Sequence, residues 1–185
     1  MWKAGHSLIK AKMKETHALL GGEVSGHVFF ADRYFGFDDA IYATCRLVEI
    51  LQKVAAGFSL RPSTSEQGDW GVSHLLQGLP ETIVTPEIRV SCPDDKKFGV
   101  VEKLKAQLEQ RVRHPVSGAP AIRNLVTVDG VRVIFEKGWG LVRPSNTQPV
   151  LVLRFEADTE ERLKIYQTFV EKELRALTDY SVQEH

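Results

Sequence analysis

The sequence has no long apolar run, only two cysteines, Cys45 and Cys92, and no excess of either charge. Each absence removes a class of function. No stretch reaches the roughly 20 apolar residues that a membrane-spanning helix needs. The start, MWKAGHSLIK, lacks the apolar core of a secretory leader. Two cysteines without a secretory context do not make a disulfide framework, so the expectation is a reduced, cytoplasmic protein with two small buried thiols. Twenty-four basic residues face 24 acidic ones. That balance argues against a nucleic-acid or anionic-membrane surface, because both need a surplus of Lys and Arg. No metal site is expected. His17, His74 and His114 have no partners at ligand spacing, and the pairs Asp38-Asp39 and Asp94-Asp95 directly precede helical segments. N-capping and the helix dipole account for both pairs without a metal.

What is present is an ordinary globular composition, 43% hydrophobic and 26% charged, over 185 residues. That length is long for one domain and short for two full ones. Ser7 to Leu20 has the period of a helix, with Leu8, Ile9, Met13 and Leu20 as its apolar positions, Ser7 as N-cap and Gly21-Gly22 as its end. His27 to Phe30 reads as a buried strand. Asp38 or Asp39 can cap a second helix with the stripe Ile41, Thr44, Leu47, Val48, Leu51 and Val54. After a Ser-, Gly- and Pro-rich stretch and a short helix around Val72 to Leu79, a new pattern begins. Glu87 to Ser91 alternates like a strand, and Lys96 to Val112 is a helix with Phe98, Val101, Leu104, Leu108 and Val112 on one face. Strand-like runs follow at Leu125–Val128, Val131–Glu136, Trp139–Arg143 and Val150–Glu156, with Asp129-Gly130 as a hairpin turn. The last helix runs from Glu160 to Leu177, buried through Leu163, Tyr166, Val170, Leu174 and Leu177.

The second half thus carries about four strands and two helices, enough for an autonomous α+β domain with an antiparallel sheet. The first half offers helices around a single convincing strand, which cannot satisfy its own backbone and therefore reads as part of a larger α/β domain. The divisions expected are residues 1–58, a linker with a short helix at 59–82, and residues 83–185.

Two loops carry chemistry. Gly22-Glu23-Val24-Ser25-Gly26-His27 places a carboxylate, a hydroxyl and an imidazole between glycines, directly before a strand. Paired acceptors of this kind suit vicinal hydroxyls of a sugar, while the plainer alternative is a polar turn with Glu23 solvated. Arg143-Pro144-Ser145-Asn146-Thr147-Gln148-Pro149 lies between two strands and gathers a guanidinium, two hydroxyls, an amide and backbone N–H groups. Phosphate takes many donors, Arg as a bidentate fork and a nest of amides among them. The alternative is a hairpin loop of turn formers with Arg143 in a surface ion pair. A third stretch, Lys3 to Ser7, puts His6 at the head of the first helix.

Taken with WKAGHSLIKAKM (Trp2–Met13), GGEVSGHVFF (Gly21–Phe30), GFDDAIYATCRLVEIL (Gly36–Leu51) and GWGLVRPSNTQPVLVLRFEA (Gly138–Ala157), the chain resembles the α-D-phosphohexomutase superfamily in its bacterial phosphomannomutase/phosphoglucomutase branch. The Ser-Asn-Thr core of the second loop fits that branch better than the glucosamine-phosphate branches, which tend to carry Ser-Gly-Thr. Members have four domains: one with a phosphorylated serine, one binding Mg²⁺, a third selecting the sugar, and a fourth, TATA-binding-protein-like, gripping phosphate. They move phosphate between O6 and O1 of mannose or glucose phosphates through a bisphosphorylated intermediate.

The resemblance implies that His6, Glu23 and Ser25 hold sugar hydroxyls and that His27 sits near the reacting phosphate. It implies further that Arg143, Ser145, Asn146 and Thr147 clamp the non-transferring phosphate. No Ser-His-Asn or Asp-x-Asp-x-Asp loop occurs in these residues. The expectation is therefore the end of domain three plus all of domain four, with a small insertion at Ser65–Ser73. Mg²⁺ would belong to the parent enzyme, its ligands lying outside this chain together with the N-terminal domains, and the chain alone would have no mutase turnover. The alternative is a non-catalytic phosphosugar-binding or interaction module.

Overall fold

A computed structural model describes residues 2–23, 25–55, 76, 78–179 and 181–182. The expected insertion at Ser65–Ser73, and most of the expected linker and short helix, lie outside the described residues. Two compact units are present, Met1–Leu79 and Pro80–His185.

In the first unit, α1 (His6–Thr16) leads into β1 (Leu20–Gly22), β2 (Val28–Phe30) and α2 (Ala40–Ala55). The helix starts one residue earlier than its apolar period indicates. Gly5 occupies the cap position and no side chain caps it, so Ser7 lies inside the first turn. It also ends earlier, at Thr16, because His17 turns left-handed (φ 53°) and bonds its N–H back to the Met13 carbonyl. Gly21 and Gly22 are therefore strand, paired antiparallel with Phe29 and Val28. A Cβ at Gly21 would lie 2.8 Å from Met13 Sδ and 3.2 Å from Ile9 Cγ2. This close approach lets α1 pack directly on the hairpin, burying Ile9, Met13 and Phe29.

Asp39 caps α2, its Oδ1 accepting the Tyr42 N–H at 2.9 Å. The Tyr34 hydroxyl and that N–H hold the Asp39 carboxyl below its ordinary pKa. The stripe along α2 stays largely open: Ile41 is 81% exposed, and Leu47 and Val48 are exposed as well. Cys45, on the same helix, is exposed too, which corrects the expectation of two buried thiols; Cys92 alone is buried. Among the described residues this unit has one two-stranded hairpin, too little sheet to cover the helix.

The second unit runs β3 (Ile83–Val84), β4 (Ile88–Ser91), α3 (Asp94–Arg113), β5 (Asn124–Val126), β6 (Val131–Ile134), β7 (Gly138–Pro144), β8 (Val150–Ala157) and α4 (Glu160–Arg175). Its antiparallel sheet has the order β3-β8-β7-β6-β5, with β4 also on β8. Six strands replace the expected four or so, and Pro86 explains part of the difference. Proline has no N–H for the ladder, so the strand lying along β8 is broken into β3 and β4. Thr85 bridges the break, donating its N–H to the Phe155 carbonyl at 2.9 Å and accepting the Phe155 N–H on its hydroxyl at 3.0 Å.

Helices α3 and α4 pack on the sheet, burying Val90, Leu104, Leu108, Val133, Val142, Leu153, Phe155, Val170 and Leu174 among others. Each fully buried Leu, Val or Phe is worth about 1.5–3 kcal/mol of transfer free energy. The second unit therefore has much the larger reserve. Thr159 caps α4 through the Arg162 N–H.

On α3 the buried face differs from the expected one. Phe98 is 53% exposed and Val112 is exposed, whereas Lys97 is 4% exposed and lines up with Val100, Val101, Leu104 and Leu108. Neighbours on a helix point about 100° apart, so starting the buried stripe at position 97 turns Phe98 outward. Asp94 and Asp95 sit in the first turn rather than at its cap, which is Pro93.

Candidate functional site

In the first unit the turn between β1 and β2 is closed by Glu23 N–H donating to the His27 carbonyl at 2.9 Å and Gly26 N–H donating to the Glu23 carbonyl at 3.0 Å. This fixes the Glu23 and His27 side chains at the two ends of one short turn. Gly5, at the head of α1, donates its N–H to Glu23 Oε1 at 2.8 Å, which ties the carboxylate to the positive end of the helix. His6 is the first residue of that helix, and its ring lies 4.8 Å from the His27 ring, edge to face. Ser25 Oγ makes a long contact of 3.4 Å to Glu23 Oε2. Three of the sequence-predicted residues, His6, Glu23 and His27, thus converge through three elements, with Ser25 at the edge.

Sequence reasoning missed a fifth member. Asp38 Oδ2 is 2.6 Å from His27 Nδ1 and 3.7 Å from His6 Nε2. As one of two consecutive aspartates before a helix it read as a cap, but Asp39 takes that role and leaves Asp38 for the imidazoles. A His27 that donates from Nδ1 to Asp38 keeps its lone pair on Nε2. The cluster offers two imidazoles and two carboxylates at a partly exposed surface, a set that can both donate to and accept from adjacent hydroxyls.

In the second unit the loop from β7 to β8 holds Arg143 at the end of a paired strand, opposite Val152. Arg143 Nη1 lies 4.0 Å from Asp129 Oδ2, both side chains about three-quarters covered. Asp129 belongs to the β5–β6 turn, where Gly130 has φ 76° and packs on the Arg143 backbone; a Cβ there would fall 2.7 Å from Arg143 Cα. Both the turn and the close approach require glycine.

The loop is closed internally. Ser145 Oγ accepts the N–H groups of Thr147 (3.3 Å) and Gln148 (3.2 Å), and the Ser145 N–H bonds the Val150 carbonyl. The nest of free amides expected here is therefore largely committed, which leaves the Arg143 fork, the Ser145 hydroxyl proton and the exposed Asn146 and Thr147 side chains as donors.

Three residues outside the sequence motif brace the loop. Lys97 Nζ donates to the Gln148 carbonyl at 3.0 Å and to Asp94 Oδ1 at 2.6 Å. Arg89 Nη1 donates to Gln148 Oε1 at 2.9 Å, and the Cys92 N–H donates to the Pro149 carbonyl at 2.9 Å. The only hint of Lys97 in the sequence is its spacing of three from Val100 and seven from Leu104, which puts a charge on a buried face.

Residues 1–64 match the model for the phosphoglucomutase/phosphomannomutase alpha/beta/alpha domain III, and residues 87–173 match that for the phosphoglucomutase/phosphomannomutase C-terminal domain. A phosphomannomutase/phosphoglucomutase of Pseudomonas aeruginosa is 50% identical over 177 residues, which is 96% of this chain and 33% of that protein. A phosphoglucomutase of Neisseria gonorrhoeae is 46% identical over 165 residues, 89% of this chain and 31% of that protein. The crystal structure of a phosphoglucomutase/phosphomannomutase family protein from Burkholderia thailandensis superposes with a TM-score of 0.74 at 40% identity, covering 98% of this chain and 33% of that one. The chain spans about a third of the length of the relatives it matches.

Proposed function

The chain belongs to the phosphoglucomutase/phosphomannomutase family, matching its domains III and IV, and from that premise we propose that it forms the sugar-holding and phosphate-holding surfaces of a hexose-phosphate mutase. The reaction served is the interconversion of hexose 6-phosphate and hexose 1-phosphate, with mannose and glucose phosphates as substrates, in the cytoplasm.

In this reading Glu23, Ser25 and His6 take sugar hydroxyls, and His27, held by Asp38, lies near the phosphate that reacts. Arg143, Ser145, Asn146 and Thr147 grip the phosphate that stays. A clamp that recognises only a phosphate serves a substrate bound in either orientation, since each end of a hexose bisphosphate presents the same group. The observation that carries the reading is the bracing of the second loop: Lys97, Arg89 and the Cys92 N–H hold its far limb at Gln148 and Pro149. Preorganised donors lose less entropy on binding an anion.

The phosphoryl carrier and the Mg²⁺ of such an enzyme are assigned to other domains of the parent protein, which are the natural partners of this chain. Among the described residues the group that could hold a metal is His6, Glu23 and His27. Its two nitrogens do not suit Mg²⁺, which takes six oxygens in an octahedron.

A coupled assay tests the division of labour. The chain alone is expected to give no glucose 6-phosphate from glucose 1-phosphate, while isothermal titration detects glucose 1-phosphate binding that Arg143→Ala weakens by at least tenfold. Turnover by the chain alone would overturn the assignment of the carrier to other domains. Binding indifferent to Arg143→Ala would favour a module that uses this domain only for interaction.

A further inference from the structure

The cluster in the first unit has the composition of a transition-metal site. His6, Glu23 and His27 each offer one ligand atom, and these atoms lie within 4.8 Å of one another. We propose that these three residues bind a borderline divalent cation of the zinc class, with Asp38 orienting His27 from outside the coordination shell.

The chemistry selects the ion. Two imidazoles and a carboxylate suit Zn²⁺ and its neighbours, whereas Mg²⁺ and Ca²⁺ prefer oxygens alone. Around a tetrahedral zinc, bonds of about 2.0–2.1 Å put ligand atoms roughly 3.3 Å apart. Closing from 4.8 Å asks for movements of about an ångström or two, and the two rings that would move are on the surface, with side chains 55% (His6) and 44% (His27) exposed.

The surrounding hydrogen bonds already do what an outer shell does. Asp38 accepts from His27 Nδ1 at 2.6 Å, leaving Nε2 for an ion, and Gly5 N–H pins Glu23 Oε1 at 2.8 Å. The His6 ring is set edge-on against Phe29, with centroids 5.5 Å apart. Three protein ligands leave one position of a tetrahedron open, so the ion would keep a water or take a ligand oxygen. Glu23 and His27 are also the residues assigned above to the sugar and its phosphate. On that reading, and resting on it, ion and sugar phosphate exclude one another at this unit.

The test is a titration of the tag-free Cys45→Ser chain, which lacks the exposed thiol, with zinc chloride in a non-chelating buffer. One saturable site per chain is expected, with affinity falling at least tenfold in His6→Ala and in His27→Ala. Asp38→Asn should cost roughly 10–100-fold, as outer-shell changes do, with circular dichroism unchanged in all three variants. Magnesium chloride should give no saturable heat at the same concentrations. Absence of a saturable zinc site, or zinc affinity unaltered in both histidine variants, overturns the proposal, as does an equal response to magnesium. Because these measurements contain no sugar, they stand or fall apart from the mutase reading. With zinc bound, failure of glucose 1-phosphate to compete would count against the sugar assignment of Glu23 and His27 and leave the ion site standing.

Discussion

Lys97 and Gln148, 51 positions apart in sequence, meet where the buried ammonium of α3 donates to the carbonyl of the β7–β8 loop at 3.0 Å. Lys97 is 4% exposed and its second acceptor is Asp94. A charge buried to this degree has to be hydrogen-bonded, and here the partner is the loop assigned to phosphate.

Replacing Lys97 by Met keeps most of the stem and removes the donor. The expected cost is about 1–3 kcal/mol in the second unit, read by urea denaturation, with a several-fold loss of glucose 1-phosphate affinity in the chain that remains folded. Unchanged stability and unchanged affinity together would show that the contact does not brace the loop.

Gly130→Ala should be more damaging than its size suggests. At φ 76° a side chain is strained, and its Cβ would fall 2.3 Å from the Val142 carbonyl oxygen and 2.7 Å from Arg143 Cα. Left-handed strain alone costs about 1–3 kcal/mol, and the overlap adds to it. A melting temperature lowered by roughly 8 °C or more is expected for a domain of this size. A melt within 2 °C or so of the parent would mean that the turn relaxes freely.

Glu49 on α2 provides a pH signature. Hydrogen bonds from Arg33, and then from Lys53, pull its carboxyl down to about 2. A folded-state value below the unfolded one stabilises the chain above the ordinary carboxylate range, and that stabilisation is lost as pH falls through about 2. The pair is at the surface, so the effect on overall stability is small. The direct check is the carboxyl carbon shift of Glu49 followed by NMR from neutral pH downward. A midpoint near 2 is expected, and one in the ordinary glutamate range would remove Arg33 and Lys53 as its partners.

The two units should also differ in protection. Exposed Ile41, Leu47 and Val48 leave α2 with little apolar cover, while the second unit buries Leu104, Val133, Leu153 and Phe155 completely. Amide exchange is expected to be much faster in α1 and α2 than in β7, β8 and α4. Equal protection across both units would contradict this.

Most of the fold was legible because its signals are local. The periods of α3 and α4, the four strand runs after Leu125 and the Asp129-Gly130 turn need no distant partner to be recognised. The losses came where a residue's role is decided by something far away in sequence. Gly21-Gly22 read as a helix stop because its strand partner, Val28–Phe30, lies beyond a turn. Asp38 reads as a cap because nothing local reveals His27 opposite it, and Lys97 is hidden behind Phe98 because hydrophobicity alone favours the face that carries the aromatic ring. The short β3 escaped because Pro86 divides the strand it belongs to. Of the candidate site, residue types and spacing single out the two loops as candidates, while the braces from Arg89 and Lys97 reach across 59 and 51 positions of sequence and leave no local signal.

The most direct test of the central claim is an NMR titration of the isotope-labelled chain with glucose 1-phosphate and mannose 1-phosphate. Shifts are expected at Arg143, Ser145, Asn146 and Thr147, weaker ones at Glu23, Ser25 and His27, and loss of the first group in Arg143→Ala. Saturating ligand that moves neither set would contradict the assignment of sugar and phosphate to these two loops.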